Sequence, residues 1–136
     1  MRGSYLLLME LKNDKKISVG KLGEIKFNKG IYVYVGSALN GLDQRIQRHL
    51  RKNKKIHWHI DYLLKYTDLV DVFYTESMVR KECTIANELE KELLSVQDFG
   101  CSDCRCESHL FYGPYKPIVN IIDKLNMEKY LINAKS

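Results

Sequence analysis

The chain has 136 residues, 22 of them Lys or Arg against 17 Asp or Glu, for a formal net charge of +5 and a pI near 9.0. That length fits one domain able to bury its own core without metal or disulfide staples. No apolar run approaches the roughly 18 residues a membrane span needs, and the opening "MRGSYLLLMEL" has its short apolar run broken by Glu10, too early for a signal segment. The expectation is a soluble, cytoplasmic protein with no membrane partner. In a reducing compartment its four cysteines read as thiols or metal ligands before disulfides.

In chain order, Ser4 to Leu11 reads as a buried strand, followed by a turn at Asn13-Asp14 and two short strand-like pieces around Gly20 and Gly23. Ile31 to Val35 alternates β-branched and tyrosine residues. Tyr32 and Tyr34 therefore share one face of a strand, and Ile31, Val33 and Val35 the other. After "SALNG" a helix carries Leu42, Ile46 and Leu50 four apart, its buried stripe, with Arg45 and His49 also four apart beside it. A short helix is expected in "HWHIDYLL", a strand over Leu69 to Thr75, and a longer helix from about Met78 to Leu94. A cysteine-rich loop, a short strand at His109 to Tyr112 and a helix with Pro117 in its first turn complete the chain. The order describes one α+β domain spanning 1–136, without repeats or linkers.

Two features suggest chemistry. Arg45, Arg48, Arg51, Lys52, Lys54 and Lys55 crowd into eleven positions, the electrostatic footprint of a polyanion partner, although a solvated basic helix face has the same composition. On the 78–94 helix, Val79, Cys83, Ala86, Leu89 and Leu93 fall within one apolar arc, and Glu82 falls inside it. A carboxylate on a core face needs a cation, a metal or several donors. Glu82 is thus either half of a structural pair or a site carboxylate.

"Tyr34-Val35-Gly36-Ser37-Ala38" followed by "Arg45-Ile46-Gln47-Arg48-His49" resembles the second half of the GIY-YIG nuclease signature, in which a Tyr-x-Gly strand end precedes a helix bearing a catalytic arginine. "HWHIDYLL" and "GCSDCRCESHLFY" are similar to the small stand-alone, Uri-type members, over nearly the whole chain. The family places its Gly-x-Tyr and Tyr-x-Gly words on neighbouring antiparallel strands. Gly30-Ile31-Tyr32 lies on the strand of Tyr34 itself, and two residues of one strand cannot meet across a ladder. Gly3-Ser4-Tyr5 is then the first word, and the segment between the words is an inserted hairpin around Gly20 to Gly23.

The resemblance implies a small antiparallel sheet flanked by helices and a metal-dependent endonuclease that hydrolyses DNA phosphodiester bonds, in repair or in processing of branched or damaged DNA. Within it Tyr5 would orient or deprotonate the attacking water, supported by Tyr34. Arg45 would offer a cationic fork to phosphate oxygens, and Glu82 would hold one hydrated Mg²⁺ or Mn²⁺. His57 would contact the phosphate or Tyr5. Arg48, His49, Arg51, Lys52, Lys54 and Lys55 would bind nucleic acid. For His57 and His59 a structural pair around Trp58 is the plain alternative, and for His49 packing.

Cys101, Cys104, Cys106 and His109 have ligand types suited to a structural Zn²⁺, but they are packed within nine residues, and a thiol-lined turn, or a direct part in the active site or in DNA contact, explains them as well. The rival readings are a non-catalytic nucleic-acid-binding module with a zinc knuckle, and an RNA-directed nuclease, because charge and aromatic residues do not separate DNA from RNA.

Overall fold

The computed structural model describes residues 2–38, 40–78, 81–100 and 108–132. Strands β1 (Gly3–Leu11), β2 (Lys15–Ser18), β3 (Glu24–Phe27) and β4 (Gly30–Ala38) are followed by helices α1 (Leu42–Leu50) and α2 (His59–Leu64). Then come strand β5 (Asp68–Glu76), helix α3 (Glu82–Glu92), strands β6 (Leu94–Ser95) and β7 (Leu110–Tyr112), helix α4 (Tyr115–Lys124) and strand β8 (Glu128–Lys129). The fold is α+β. A six-stranded antiparallel sheet runs in the order β6-β7-β4-β1-β5-β8, and β2 pairs with β3 in a separate two-stranded sheet.

Layers cover both faces of the sheet, which is why β1 is apolar on both faces from Tyr5 to Met9 and is buried at every position except half-buried Glu10. Alternation along the strands divides the core. Tyr5, Leu7, Met9, Tyr32, Tyr34 and Ala38 face one layer, where Ile17, Val19 and Phe27 of the β2–β3 region and Leu42, Ile46, Ile60 and Leu63 of α1 and α2 meet them. Leu6, Leu8, Val33 and Val35 face the other, packed by Ile85, Ala86 and Leu89 of α3 and Ile118, Ile121 and Ile122 of α4. Helix α1 is docked by Leu42 and Ile46, both essentially inaccessible; each such side chain contributes about 1.5–3 kcal/mol. Leu50, the last member of the expected stripe, is half-buried, and buried His49 takes a place beside it instead.

The third helix is shorter than the expected 78–94. It begins at Glu82, after Lys81 with φ −115° and ψ 4°, and ends at Leu93, whose φ −126° and ψ 160° turn the chain into β6. Leu94 there pairs with Tyr112 of β7, so the ladder takes the backbone groups that another helical turn would have used. Met78 lies outside the helix and is exposed. Within α3 the buried positions are Glu82, Ile85, Ala86 and Leu89, with Cys83 half-buried. Val79 lies outside the described residues. Strands β6 and β8, two residues each, are too short to leave an alternating pattern in the sequence.

Candidate active site

The site is built on the register of β1 against β4. Tyr5 lies opposite Gly36, Leu7 opposite Tyr34, and Met9 opposite Tyr32. Tyr5 and Tyr34 are therefore diagonal neighbours on one face of adjacent strands, within reach of each other's rings. Tyr32 sits two residues back along the strand of Tyr34, and its hydroxyl donates to the carbonyl of Asn28 at 2.6 Å.

Both glycines of the tyrosine words are required by close approach. A Cβ at Gly36 would stand 2.3 Å from Cζ and 2.4 Å from the hydroxyl oxygen of Tyr5. A Cβ at Gly3 would stand 2.2 Å from the carbonyl oxygen of Thr75 on β5. Only glycine lets the Tyr5 ring lie down over β4 and lets β5 come close to β1.

Helix α1 projects Arg45 and His49 toward this pair. The Tyr5 hydroxyl and His49 Nε2 are 2.7 Å apart, and the His49 ring lies 5.3 Å from that of Tyr5, 6.4 Å from that of Tyr34 and 6.0 Å from that of Trp58. His49 is thus turned inward onto the tyrosines. Burial lowers its pKa to about 3, the charges of Arg48, Lys54 and Arg45 press in the same direction, and Asp61 opposes them. The ring is neutral near pH 7. Burial raises Tyr5 well above the ordinary phenol range, against the pull of Arg45 and with the help of Glu82 and Asp61. Tyr34 is raised likewise, by burial first and then by Tyr5 and Glu82.

Glu82 is 7% exposed and comes from the opposite layer. It opens α3 after β5 has ended at Glu76, which pairs with Gly3 at the end of the sheet nearest Tyr5. Its negative charge bears on both tyrosines, so Tyr5, Tyr34, Arg45, His49 and Glu82 share one electrostatic neighbourhood. His57 is not drawn into it. It is exposed, its ring lies 4.8 Å from Trp58, and its backbone N–H donates to Asp61.

Two residues that motif reasoning passed over organise the arginines. Asp61 on α2 has a fully buried side chain and accepts two hydrogen bonds from Arg48, at 3.0 and 2.9 Å. It also accepts the N–H groups of His57 and Trp58 at 2.9 and 3.0 Å. Burial alone would raise its pKa; the Arg48 fork and the two N–H donors outweigh that and hold it below the usual carboxylate range. Trp58 carries the guanidinium of Arg45 at 4.5 Å and that of Arg48 at 4.4 Å from its ring centroid, both within cation–π range. Arg45 also donates to the carbonyl of Ser37 at 3.1 Å. An acidic residue in the first turn of the "HWHIDYLL" helix was the available signal for Asp61.

The basic cluster divides accordingly. Arg48 is committed to Asp61 and to the carbonyl of Lys55. Lys54 is half-buried and donates to the carbonyls of His49 and Arg51, capping α1, and burial lowers its pKa. Arg51, Lys52 and Lys55 are exposed. An open depression of about 450 Å³ runs along the outer face of α1 between Asn40, Gly41, Gln44, Arg45, Arg48 and Arg51.

Cys101, Cys104 and Cys106 lie outside the described residues. The described residues on either side of them, Gly100 and His109, lie beside Tyr34 and Val35. The Gly100 N–H donates to His59 Nδ1 at 3.0 Å, and a Cβ at Gly100 would stand 3.1 Å from Cε1 of Tyr34. His109 is buried, donates its N–H to Phe99 and accepts that of Val35. Among the described residues no group of three His, Cys, Asp or Glu side chains could hold a metal between them, and no helix is long and apolar enough to cross a membrane.

Fold and site together define a class of α+β protein: a central antiparallel sheet, a tyrosine pair on its two middle strands, and a helix that brings an arginine and a histidine to that pair. The chain belongs to the family described as Domain of unknown function DUF123, whose model matches residues 4–130. No curated protein and no solved structure matches it.

Proposed function

We propose that the chain is a metal-dependent endonuclease of GIY-YIG type, a cytoplasmic phosphodiester hydrolase acting on DNA. The observation that carries the reading is the Tyr5–Tyr34 pair, with His49 hydrogen-bonded to Tyr5 and with Arg45 and Glu82 acting electrostatically on both rings. Its resemblance to the GIY-YIG pattern supports the assignment of roles, and the β2–β3 hairpin corresponds to the insertion between the two words.

In-line hydrolysis needs a positioned water, charge stabilisation at phosphate and a stabilised leaving oxygen. Tyr5 is held as the neutral phenol, so it orients the water through a lone pair while donating its own hydrogen to His49 Nε2. That direction requires the His49 tautomer with hydrogen on Nδ1, a buried atom with no hydrogen-bond partner among the described residues. As the water oxygen bonds to phosphorus and the bond from phosphorus to the leaving oxygen breaks, one water proton passes to the Tyr5 oxygen and the phenol proton to Nε2, while the departing alkoxide takes its proton from solvent water; the arriving phosphate charge favours the imidazolium. Arg45, held over the Trp58 ring, forks onto phosphate oxygens. Tyr34 meets the His49 ring edge-on.

Glu82 is the carboxylate suited to one Mg²⁺ or Mn²⁺. Its carboxylate is a hard oxygen donor whose charge bears on Tyr5 and Tyr34, and a hard cation that takes one carboxylate keeps its remaining waters. When bound, such an ion supplies positive charge at the leaving oxygen.

The test is incubation of the protein with labelled single-stranded, duplex, flapped and branched DNA in Mn²⁺, beside a folded Arg45→Ala control. Nicking by the wild type that the control lacks is the expected result. Cleavage unchanged in Arg45→Ala, or absent on every substrate with the wild type, overturns the reading.

A further inference from the structure

The β2–β3 hairpin carries a second cationic face that the tyrosine site does not use. Its register sets Lys15 opposite Phe27, Lys16 opposite Lys26, Ile17 opposite Ile25, and Ser18 opposite Glu24. Ile17 and Phe27 point into the core, so the alternate positions, Lys16 and Lys26 among them, point to solvent, where both are exposed. Like charges directly opposed across a ladder destabilise it, and a two-stranded sheet has little stability to spare.

Neither lysine forms an ion pair among the described residues. Among the described residues, Glu24 is the one nearby carboxylate on their face; Asp14 accepts the backbone N–H of Lys29 and Asp68 pairs with Lys12. Lys21 in the connecting turn and Lys29 beyond β3 extend the exposed charge, while Lys15 is drawn to the ring of Tyr66 at 4.6 Å.

The hairpin belongs to the tyrosine-side layer. Ile17, Val19 and Phe27 share a core with Tyr5 and Tyr34, and Gly20 lies against Tyr62 of α2, the residue after the Asp61 that anchors Arg48. Helix α2 therefore meets the hairpin at Tyr62 and Arg48 of α1 at Asp61.

We propose that the solvent face of this hairpin, centred on Lys16 and Lys26, is a second contact for the phosphate backbone of DNA, separate from Arg51, Lys52 and Lys55. The proposal rests on the nucleic-acid reading of the tyrosine site. Cross-strand Cβ atoms lie about 5 Å apart, and two long, flexible ammonium stems from that spacing reach neighbouring phosphates of one strand. Bound phosphate removes the repulsion that the free hairpin carries.

The experiment measures anisotropy of a fluorescein-labelled duplex with the full chain in EDTA, across about 50–200 mM KCl. Wild type is compared with Lys16→Gln/Lys26→Gln and with Lys16→Glu, and thermal unfolding is recorded for each. The double variant is expected to bind on the order of tenfold more weakly, with a log–log salt slope shallower by about 2, since each phosphate contact contributes roughly 0.9. Its melting temperature should hold or rise. Lys16→Glu should gain about 1–3 °C while losing affinity, a pairing of opposite effects that a merely structural lysine pair does not produce. Affinity and slope unchanged in the double variant, with the wild type binding, overturn the proposal and leave the nuclease reading standing. A wild type that binds no duplex overturns both.

Discussion

Tyr5 and Gly36 face each other across β1 and β4, and the Tyr5 ring occupies the space that a side chain at 36 would need. The glycine of Tyr34-Val35-Gly36 is therefore a condition for the placement of a residue 31 positions earlier in the chain. Gly36→Ala should push the ring off its bond with His49 and cost about 1–3 kcal/mol of stability, as overpacking does. Denaturant unfolding of the variant, with cleavage measured beside it, checks both effects; an alanine accommodated at no cost would mean that the ring is free to move.

The two tyrosine words make different demands. Tyr5→Phe removes the hydroxyl bonded to His49 and should lower cleavage by about 10²-fold or more. Tyr32→Phe removes a hydroxyl bonded to Asn28, whose phenol burial pushes up to about 12 with help from Tyr112, and should cost about 1 kcal/mol of stability with cleavage near normal. Single-turnover rates for the pair decide it. Equal losses would return the first word to Gly30-Ile31-Tyr32.

Asp61 holds Arg48 from a position out of solvent, so Asp61→Asn leaves a guanidinium without its counter-charge and should destabilise the fold by about 3 kcal/mol. Because Arg48 and Arg45 share the Trp58 ring, the same change should lower cleavage at fixed temperature. Asp61 has a folded pKa below its unfolded value, so its contribution is complete above the unfolded pKa near 3.8 and is lost as pH falls through the lower folded value. Acid unfolding followed by circular dichroism should begin at higher pH in the variant.

His49 acts in a different window. Its folded pKa of about 3 lies below the ordinary imidazole value of 6.5, so between those values the unfolded chain holds a proton that the folded chain does not. Stability should therefore fall as pH drops from about 6.5 toward 3, by up to about 1.4 kcal/mol per unit. His49→Gln should flatten that stretch of the stability–pH curve. A slope unchanged in the variant would show that another group is responsible.

Much of this arrangement was legible in one dimension. The alternation in Ile31 to Val35 put Tyr32 and Tyr34 on one face, the spacing of Leu42 and Ile46 set the inward side of α1, and the apolar arc around Ala86 and Leu89 carried Glu82 inward. These are local periodicities, and a period of two or 3.6 residues is written in the chain itself.

Pairing across distance was not. That Tyr5 bonds His49 depends on β1 lying between β4 and β5 and on α1 crossing that face, relations between segments 44 residues apart. The commitment of Arg48 to Asp61 withdrew a cation that composition had counted as free. Strands β6 and β8 exist because the edges of β7 and β5 offer backbone groups to pair with, and two residues are too few to show a period of their own. Side-chain direction follows from neighbours along the chain, whereas which groups meet, and so which charges are neutralised and which phenols stay protonated, follows from packing that only the folded chain creates.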